Sequence, residues 1–206
     1  MATSVSAWWG KGHLLVARVA YDILMSEDPE IITKVENVLS YLRETDPYWT
    51  KKEGDHSFVE CTTFADDIKN KGGNYQQGWH FIDTPFLDQG NKISDYPNFK
   101  FDMHNITQAI TEIVAWFNRD PGYEDGYAYQ QIMSHKYNTT EESSAMSTAM
   151  RLLIHYCGDI HQPLHCTSRV DDNYPVGDRG GNDVPIPEID GTGVDNLHQV
   201  WDSVMY

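Results

Sequence analysis

His155 and Asp159 stand four residues apart, and so do His198 and Asp202. On a helix, an i, i+4 pair sends both side chains the same way from neighbouring positions. That arrangement suits two ligands of one metal ion. It equally suits a surface ion pair worth a few tenths of a kcal/mol. Two such pairs, each close to further histidine, raise the weight of the ligand reading. His165 follows Asp159 across Pro163, so the chain can turn one residue toward one metal and the next toward another. Imidazole and carboxylate ligands without thiolate fit hydrolytic zinc sites, which keep a position open for water. The cysteines Cys61, Cys157 and Cys166 form no CxxC pair, which argues against a thiolate site. Their odd count leaves one thiol outside any intrachain disulfide bond, and buried structural thiols are an equal reading.

Helices must position these groups, and helix signals dominate. His13, Val16, Ala17, Ala20, Ile23 and Leu24 fall on one face of a helix beginning near Gly12. Asp28-Pro29 reads as an N-cap with Pro at the first helical position, opening a helix to about Arg43. The pattern predicts further helices over Ser57 to Lys69, before a Gly72-Gly73 loop, and over Met103 to Asn118. Thr140 is the expected cap of a long helix from Glu141 to about Ile160, stopped by Pro163. Gly177 to Gly193 reads as a loop holding a small hairpin, and Asn196 as the cap of a last helix that carries Leu197 to Val204 and is still running at Tyr206. There is no repeat, low-complexity tract or linker. The expected fold is all-α in a single domain.

The chain has 206 residues and a net charge of -16, with 40% hydrophobic and 22% charged residues. This is globular composition. No apolar run approaches the ~18 residues of a membrane helix. The acidity excludes a broad basic groove, the usual source of phosphate affinity. A protein of this charge that handles phosphate needs bound metals to neutralise it, and an acidic ligand set recruits metals. Asn105-Ile106-Thr107 and Asn138-Thr139-Thr140 are sequons, making Asn105 and Asn138 candidate glycosylation sites. Val5-Ser6-Ala7 has the small-residue look of a cleavage site, so residues 1–7 read as the remnant of a secretory leader, with Trp8 first in the mature chain; a short disordered N-terminus is the equal alternative. Tyr206 falls inside the last helix with no Gly stop, which reads as a truncated C-terminus.

The segment His155-Tyr156-Cys157-Gly158-Asp159-Ile160-His161-Gln162-Pro163-Leu164-His165 resembles the signature helix of the zinc-dependent single-strand-specific nucleases, the fungal and plant type I nucleases or 3'-nucleotidase/nucleases. Five more blocks of that family's pattern follow the same order along the chain. They are Trp8 to His13, Phe64 to Lys69, Trp79 to Asp83, Gly177 to Asn182 and Asn196 to Asp202. The resemblance thus covers nearly the whole chain. It implies a mainly helical domain of the zinc phospholipase C/type I nuclease kind over residues 8–206, lacking the helices with which family members continue past the final Asp.

The resemblance also implies three zinc ions. One would be held by Asp66, His80, His155 and Asp159. A second would take His13, Asp159 as a bridge, and the amine and carbonyl of Trp8. A third would take His165, His198 and Asp202. Zinc lowers the pKa of bound water and stabilises phosphate oxygens, which suits attack on phosphorus at neutral pH. Asp66, Lys69 and Asp159 are the implied catalytic residues. Lys69, one turn after Asp66, adds positive charge for the transition state; its plain alternative is a solvated helix-end cation. Phe81 is implied to stack a base and Asp83 to hydrogen-bond it, with Asn182 bordering that pocket. A stacked base must first leave its neighbours, which favours single strands. On composition alone Phe81 would more often be core. His56, His104, His135 and His161 have no assigned role and read as surface or satisfied-core residues.

The expected activity is hydrolysis of single-stranded DNA and RNA to 5'-nucleotides, with 3'-nucleotidase activity beside it. The alternatives are a zinc phospholipase C-like hydrolase and an inactive secreted metal-binding fragment. The expected molecule is a monomer with no stable protein partner and no membrane association. The sequons and the leader remnant place it in the secretory pathway, as a secreted, vacuolar or lysosomal protein.

Overall fold

Asp28 ends one helix and begins the next. Its amide donates to Leu24 O, and its carboxylate accepts the Glu30 amide ahead of Pro29. The computed structural model, which describes residues 8–135 and 141–203, thereby opens with α1 (Gly10–Glu27) and α2 (Pro29–Thr45) as a helical hairpin. The buried residues of α1 are Gly12, His13 and Ala17. Val16, Ala20 and Leu24 are half-buried as the periodicity predicts, but Ile23 is 51% exposed. The far end of α1 extends past the core it packs on.

The helix expected over Ser57 to Lys69 is broken into α3 (Ser57–Glu60), a 3-10 turn at Cys61–Thr63 and α4 (Phe64–Ile68). The break falls on two adjacent threonines, whose β-branched side chains crowd an α-helix. A 3-10 segment over Asn74–His80 then follows where the sequence pattern predicts only the loop after Gly72-Gly73. Helix α5 (Ile106–Asn118) begins later than predicted, because Asn105 is its cap: Asn105 Oδ1 accepts the Gln108 amide. Helix α6 (Tyr127–Ser134) was not anticipated; at this length its buried Ala128 and Ile132 provide only one i, i+4 signal. Helix α7 (Glu142–Asp159) matches its predicted extent within a residue at each end. The Thr140 cap lies outside the described residues. Helix α8 (Leu197–Asp202) is capped by Asn196 as expected and ends at Ser203, so the predicted extension to Val204 lies outside the description.

The predicted hairpin is β3 (Pro185–Ile189) paired antiparallel with β4 (Val194–Asn196). Its turn uses Gly191 and Gly193 at φ of 73° and 74°, where only glycine sits without strain. A two-residue parallel pair, β1 (Pro85–Phe86) with β2 (Ser168–Arg169), was not predicted. It clips the segment after His80 to the segment after His165. The fold is mainly helical, as expected.

Helix α7 is the centre of the molecule, packing against α1, α2, α4, α5 and α6. Its Ala145, Ala149, Leu152 and Tyr156 join Leu42, Ile68, Trp79, Ile106, Ile113, Trp116 and Ile132 in one core. Each fully buried large apolar side chain here contributes about 1.5–3 kcal/mol. Small residues let α2 lie close: Ser147 Oγ donates to Leu39 O at 3.0 Å and receives the Leu42 amide at 3.2 Å. Fully buried Arg151 forks onto both Glu53 oxygens at 2.7 and 2.6 Å and also donates to Leu39 O. The end of α7 that carries His155 and Asp159 is therefore held on a rigid frame. All three cysteines are free thiols.

Candidate metal centre

His155 and Asp159 project from the last turns of α7 and are fully buried. Gln162 and the 3-10 turn Pro163–His165 follow, and this turn delivers His165 to the same interior. Helix α8 presents His198 and Asp202 from consecutive turns, with His198 Nε2 3.4 Å from Asp202 Oδ2. The amide of Trp9 donates to Asp202 O at 3.0 Å, which ties the start of α1 to the end of α8. That contact brings His13 in from the first turns of α1. Asp66 enters from α4 and His80 from the end of the 3-10 segment.

These side chains form three groups whose ligand atoms all lie within 4.8 Å of one another. The first is His13, His155 and Asp159; the second is Asp66, His80 and His155; the third is His165, His198 and Asp202. Asp159 sits between the first two. Its Oδ1 is 3.2 Å from His13 Nε2, and its Oδ2 is 2.7 Å from His80 Nδ1 and 3.2 Å from His155 Nε2. The His13 ring stacks on His155 at 3.9 Å. Such an approach requires Gly158, because a Cβ there would lie 2.7 Å from His13 Nδ1. Gly180 has the same kind of role in the third group. It has φ of 61°, a Cβ on it would meet Leu164 O at 2.1 Å, and its carbonyl accepts from His198 Nδ1.

The donor set fits a metal cluster on the chain's own terms. His13 Nδ1 and Nε2, Asp159 Oδ1, His165 Nε2 and His198 Nε2 are buried without a well-formed hydrogen bond among the described residues. Burying such groups unsatisfied costs about 1–3 kcal/mol each, and a cation that accepts their lone pairs removes that cost. Asp66 Oδ1 also lacks a hydrogen bond of good geometry, but it lies 2.8 Å from Lys69 Nζ. The tautomers agree with the fit. His155, His165 and His198 donate from Nδ1 to the carbonyls of Thr62, His80 and Gly180, at 2.6, 2.8 and 2.8 Å. Their Nε2 lone pairs are left for a metal.

Electrostatics keep the set largely deprotonated. Burial pushes the His80 pKa down to about 4, helped by the Lys69 charge. Burial likewise takes His165 down to about 3 and lowers His13 and His198. Burial opposes ionisation of Asp66, but the charges of His155 and Lys69 hold it at about 2. Asp159 is held well below the carboxylate range by His155 and His80 against the same burial. His155 is raised, since Asp159 and Asp66 outweigh its burial. Burial raises Asp202 to about 8, against the hydrogen bond from Gln162.

The remaining predicted residues lie around this centre. Trp8 is half-buried, and its indole donates to Gly158 O at 3.0 Å beside the end of α7. Lys69 is 8% exposed, so it is not a solvated helix-end cation. Phe81 is half-buried with its ring 4.4 Å from His165 and 6.1 Å from His198, at the edge of the cluster and not in the core. Asp83 follows, and its pKa is raised to about 6 by burial and by Asp102 and Asp178. Asn182 turns into its own loop, donating to Arg179 O at 2.8 Å. Asn105 is half-buried as a helix cap, and its Nδ2 donates to Asp102 O. Asn138 lies outside the described residues. His56, His104, His135 and His161 are exposed, away from the ligand groups.

Two glutamines were missed. Gln162 donates to Asp202 Oδ1 at 2.7 Å. Gln76 lies 2.7 Å from His80 Nε2. Gln162 sits inside the quoted signature, so its proximity to ligands was readable. Gln76 offers only its i−4 offset from His80.

Comparison with known proteins places this geometry. The family model described as S1/P1 Nuclease matches residues 8–206. Endonuclease 3 of Arabidopsis thaliana is 39% identical over 96% of this chain and 54% of its own length. Endonuclease 1 of the same plant is 28% identical over 97% of this chain and 54% of its own length. Nuclease P1 of Penicillium citrinum is 25% identical over 96% and 58%. The chain spans about half the length of the curated relatives it matches.

Proposed function

The chain belongs to the S1/P1 nuclease family, and from that premise we propose that it is a zinc-dependent phosphodiesterase. Its substrates are single-stranded DNA and RNA, cleaved to 5'-nucleotides, and 3'-nucleotides, which lose their phosphate. The observation that supports this best is the convergence of unsatisfied buried imidazole and carboxylate atoms beside Phe81.

Three zinc ions would supply Lewis acidity, activating water and neutralising phosphate charge. Asp66, His80, His155 and Asp159 would hold one; His13, Asp159 and Trp8 a second; His165, His198 and Asp202 the third. This chain's own groups do the rest. Asp159, fully buried between His13, His155 and His80, fixes the spacing of two ligand groups. Lys69, drawn to Asp66, places a cation where a pentavalent phosphoryl group gathers negative charge. Phe81 offers a ring face to a base, and Asp83 offers acceptors to the base edge. Only an unstacked base reaches both, so single strands are preferred to duplexes. The family match, not this pair, separates the reading from a phospholipase, because an aromatic ring beside a carboxylate would also suit a choline head group.

Residues 8–206 act as one domain in this reading. The protein follows the secretory pathway, with glycans on Asn105 and Asn138, and works as a monomer. Among the described residues no helix is long and apolar enough to cross a membrane. Elemental analysis of the purified chain, paired with a single-strand cleavage assay, tests the proposal. About three zinc ions and cleavage of single-stranded DNA are expected. One ion or none, with no cleavage, overturns it.

A further inference from the structure

We infer that Gln76 is a positioning residue that sets His80 the opposite way round from the other histidines of the centre. The inference rests on the zinc reading above for its purpose, but its geometry stands without a metal. His155, His165 and His198 spend Nδ1 on a backbone carbonyl and turn Nε2 inward. His80 is inverted. Its Nδ1 faces Asp159 Oδ2 at 2.7 Å and His155 Nε2 at 3.1 Å, and its Nε2 faces Gln76 Oε1 at 2.7 Å.

The orientation of the Gln76 amide is itself determined. Its Nε2 donates to Ala65 O at 3.0 Å, and a carbonyl can only accept. Oε1 therefore points at His80. The Tyr156 hydroxyl donates to the same Oε1 at 2.7 Å. The two lone pairs of Oε1 are then filled by Tyr156 O–H and His80 Nε2–H. A neutral imidazole with its proton on Nε2 has its lone pair on Nδ1, so His80 Nδ1 and Asp159 Oδ2 become two acceptors 2.7 Å apart that need a shared cation; without one, the Asp159 carboxylate competes for the ring proton at Nδ1. If the amide were reversed, an N–H would face His80 Nε2 and move the ring proton to Nδ1, where it blocks ligation. The reversed amide would also put an acceptor against Ala65 O. Gln76 and Tyr156 are both fully buried, so no water replaces these partners cheaply.

The device also couples elements. Gln76 and His80 belong to the 3-10 segment, Ala65 to α4 beside Asp66, and Tyr156 to α7 beside His155. One side chain thus registers the three segments that carry Asp66, His80 and His155.

The test uses histidine ring 15N NMR on the zinc-loaded full chain together with zinc titration against a chelator. In the wild type, His80 is expected as the Nε2–H tautomer, and His155, His165 and His198 as Nδ1–H. Gln76→Leu is expected to give a mixed tautomer at His80 and to weaken one zinc ion about 10- to 100-fold, the usual effect of losing an outer partner of a ligating histidine. Gln76→Glu, held neutral by its burial, keeps the acceptor toward His80 while its hydroxyl donates to Ala65 O, and is expected to restore the Nε2–H tautomer and most of that affinity. A wild-type His80 protonated on Nδ1 overturns the inference. So does a folded Gln76→Leu chain with an unchanged tautomer and unchanged zinc binding. A wild type that binds no zinc refutes the proposed function instead, and a proton on His80 Nε2 that is present in the metal-free wild type and lost in Gln76→Leu then decides the role of Gln76; its absence from the wild type overturns the inference.

Discussion

Replacing Asp159 with Asn keeps the shape of the side chain and removes its charge. The carboxylate is fully buried, and its two oxygens lie within 3.2 Å of ring nitrogens of His13, His80 and His155. It is placed to serve two ions, so both should weaken. Loss of an outer-shell partner costs about 10- to 100-fold in metal affinity, and loss of a direct ligand costs no less. That is about 1.4–2.7 kcal/mol for each ion. A bound metal stabilises the folded state by the logarithm of its affinity, so the variant forfeits about 3–5 kcal/mol of zinc-linked stability. For a chain of this size, 1 kcal/mol moves Tm by about 2–4 °C. The rise in Tm on adding zinc to the chelator-treated protein is therefore expected to be roughly 6–20 °C smaller in Asp159→Asn. Scanning calorimetry with and without zinc measures it, and elemental analysis reports which ions remain. Cleavage of single-stranded DNA is expected to fall about 10²- to 10³-fold or more, as loss of one preorganised charge-stabilising group does elsewhere. A variant that keeps the wild-type zinc count, the full thermal gain and its cleavage rate would refute the shared-ligand argument.

Asp83, with its pKa raised to about 6, is expected to make recognition of guanine pH-dependent, because the N–H groups of that base edge need an ionised acceptor. KM for guanosine 3'-phosphate should fall as pH rises through about 6 and level off above it, and Asp83→Asn should flatten the profile; an unchanged profile in the variant refutes the role. The same group affects stability with a definite sign. Its folded value lies above the ordinary ~3.9, so the folded chain holds the proton more tightly, and the stability this confers is present below ~4 and lost as pH rises through about 6. Lys69→Met is expected to lower kcat by about 10²- to 10³-fold with the zinc count unchanged, and equal loss in KM alone would point to substrate binding instead. Gly158→Ala places a Cβ 2.7 Å from His13 Nδ1 and is expected to displace that ring and release one zinc ion, which elemental analysis detects; a full complement of zinc would show that α1 can give way.

The ligand pairs were readable because their geometry is local. His155 with Asp159, and His198 with Asp202, are neighbours on any helix that contains them, and the caps at Asp28 and Asn196 follow from the chemistry of adjacent residues. The break at Cys61–Thr63 and the short α6 escaped detection, since periodicity is weak over one or two turns. Convergence is a different matter. His80 meets Asp159 across 79 residues and His155 meets Thr62 across 93. Those contacts exist because α7 is packed on several sides and the 3-10 segment is pinned to it. The tautomers, the role of Gln76 and the raised pKa of Asp83 depend on which carbonyl or carboxylate the fold brings within hydrogen-bonding range. Residue types and short spacings specify which groups can bind a metal, while long-range packing alone sets the distances and burial that orient their lone pairs.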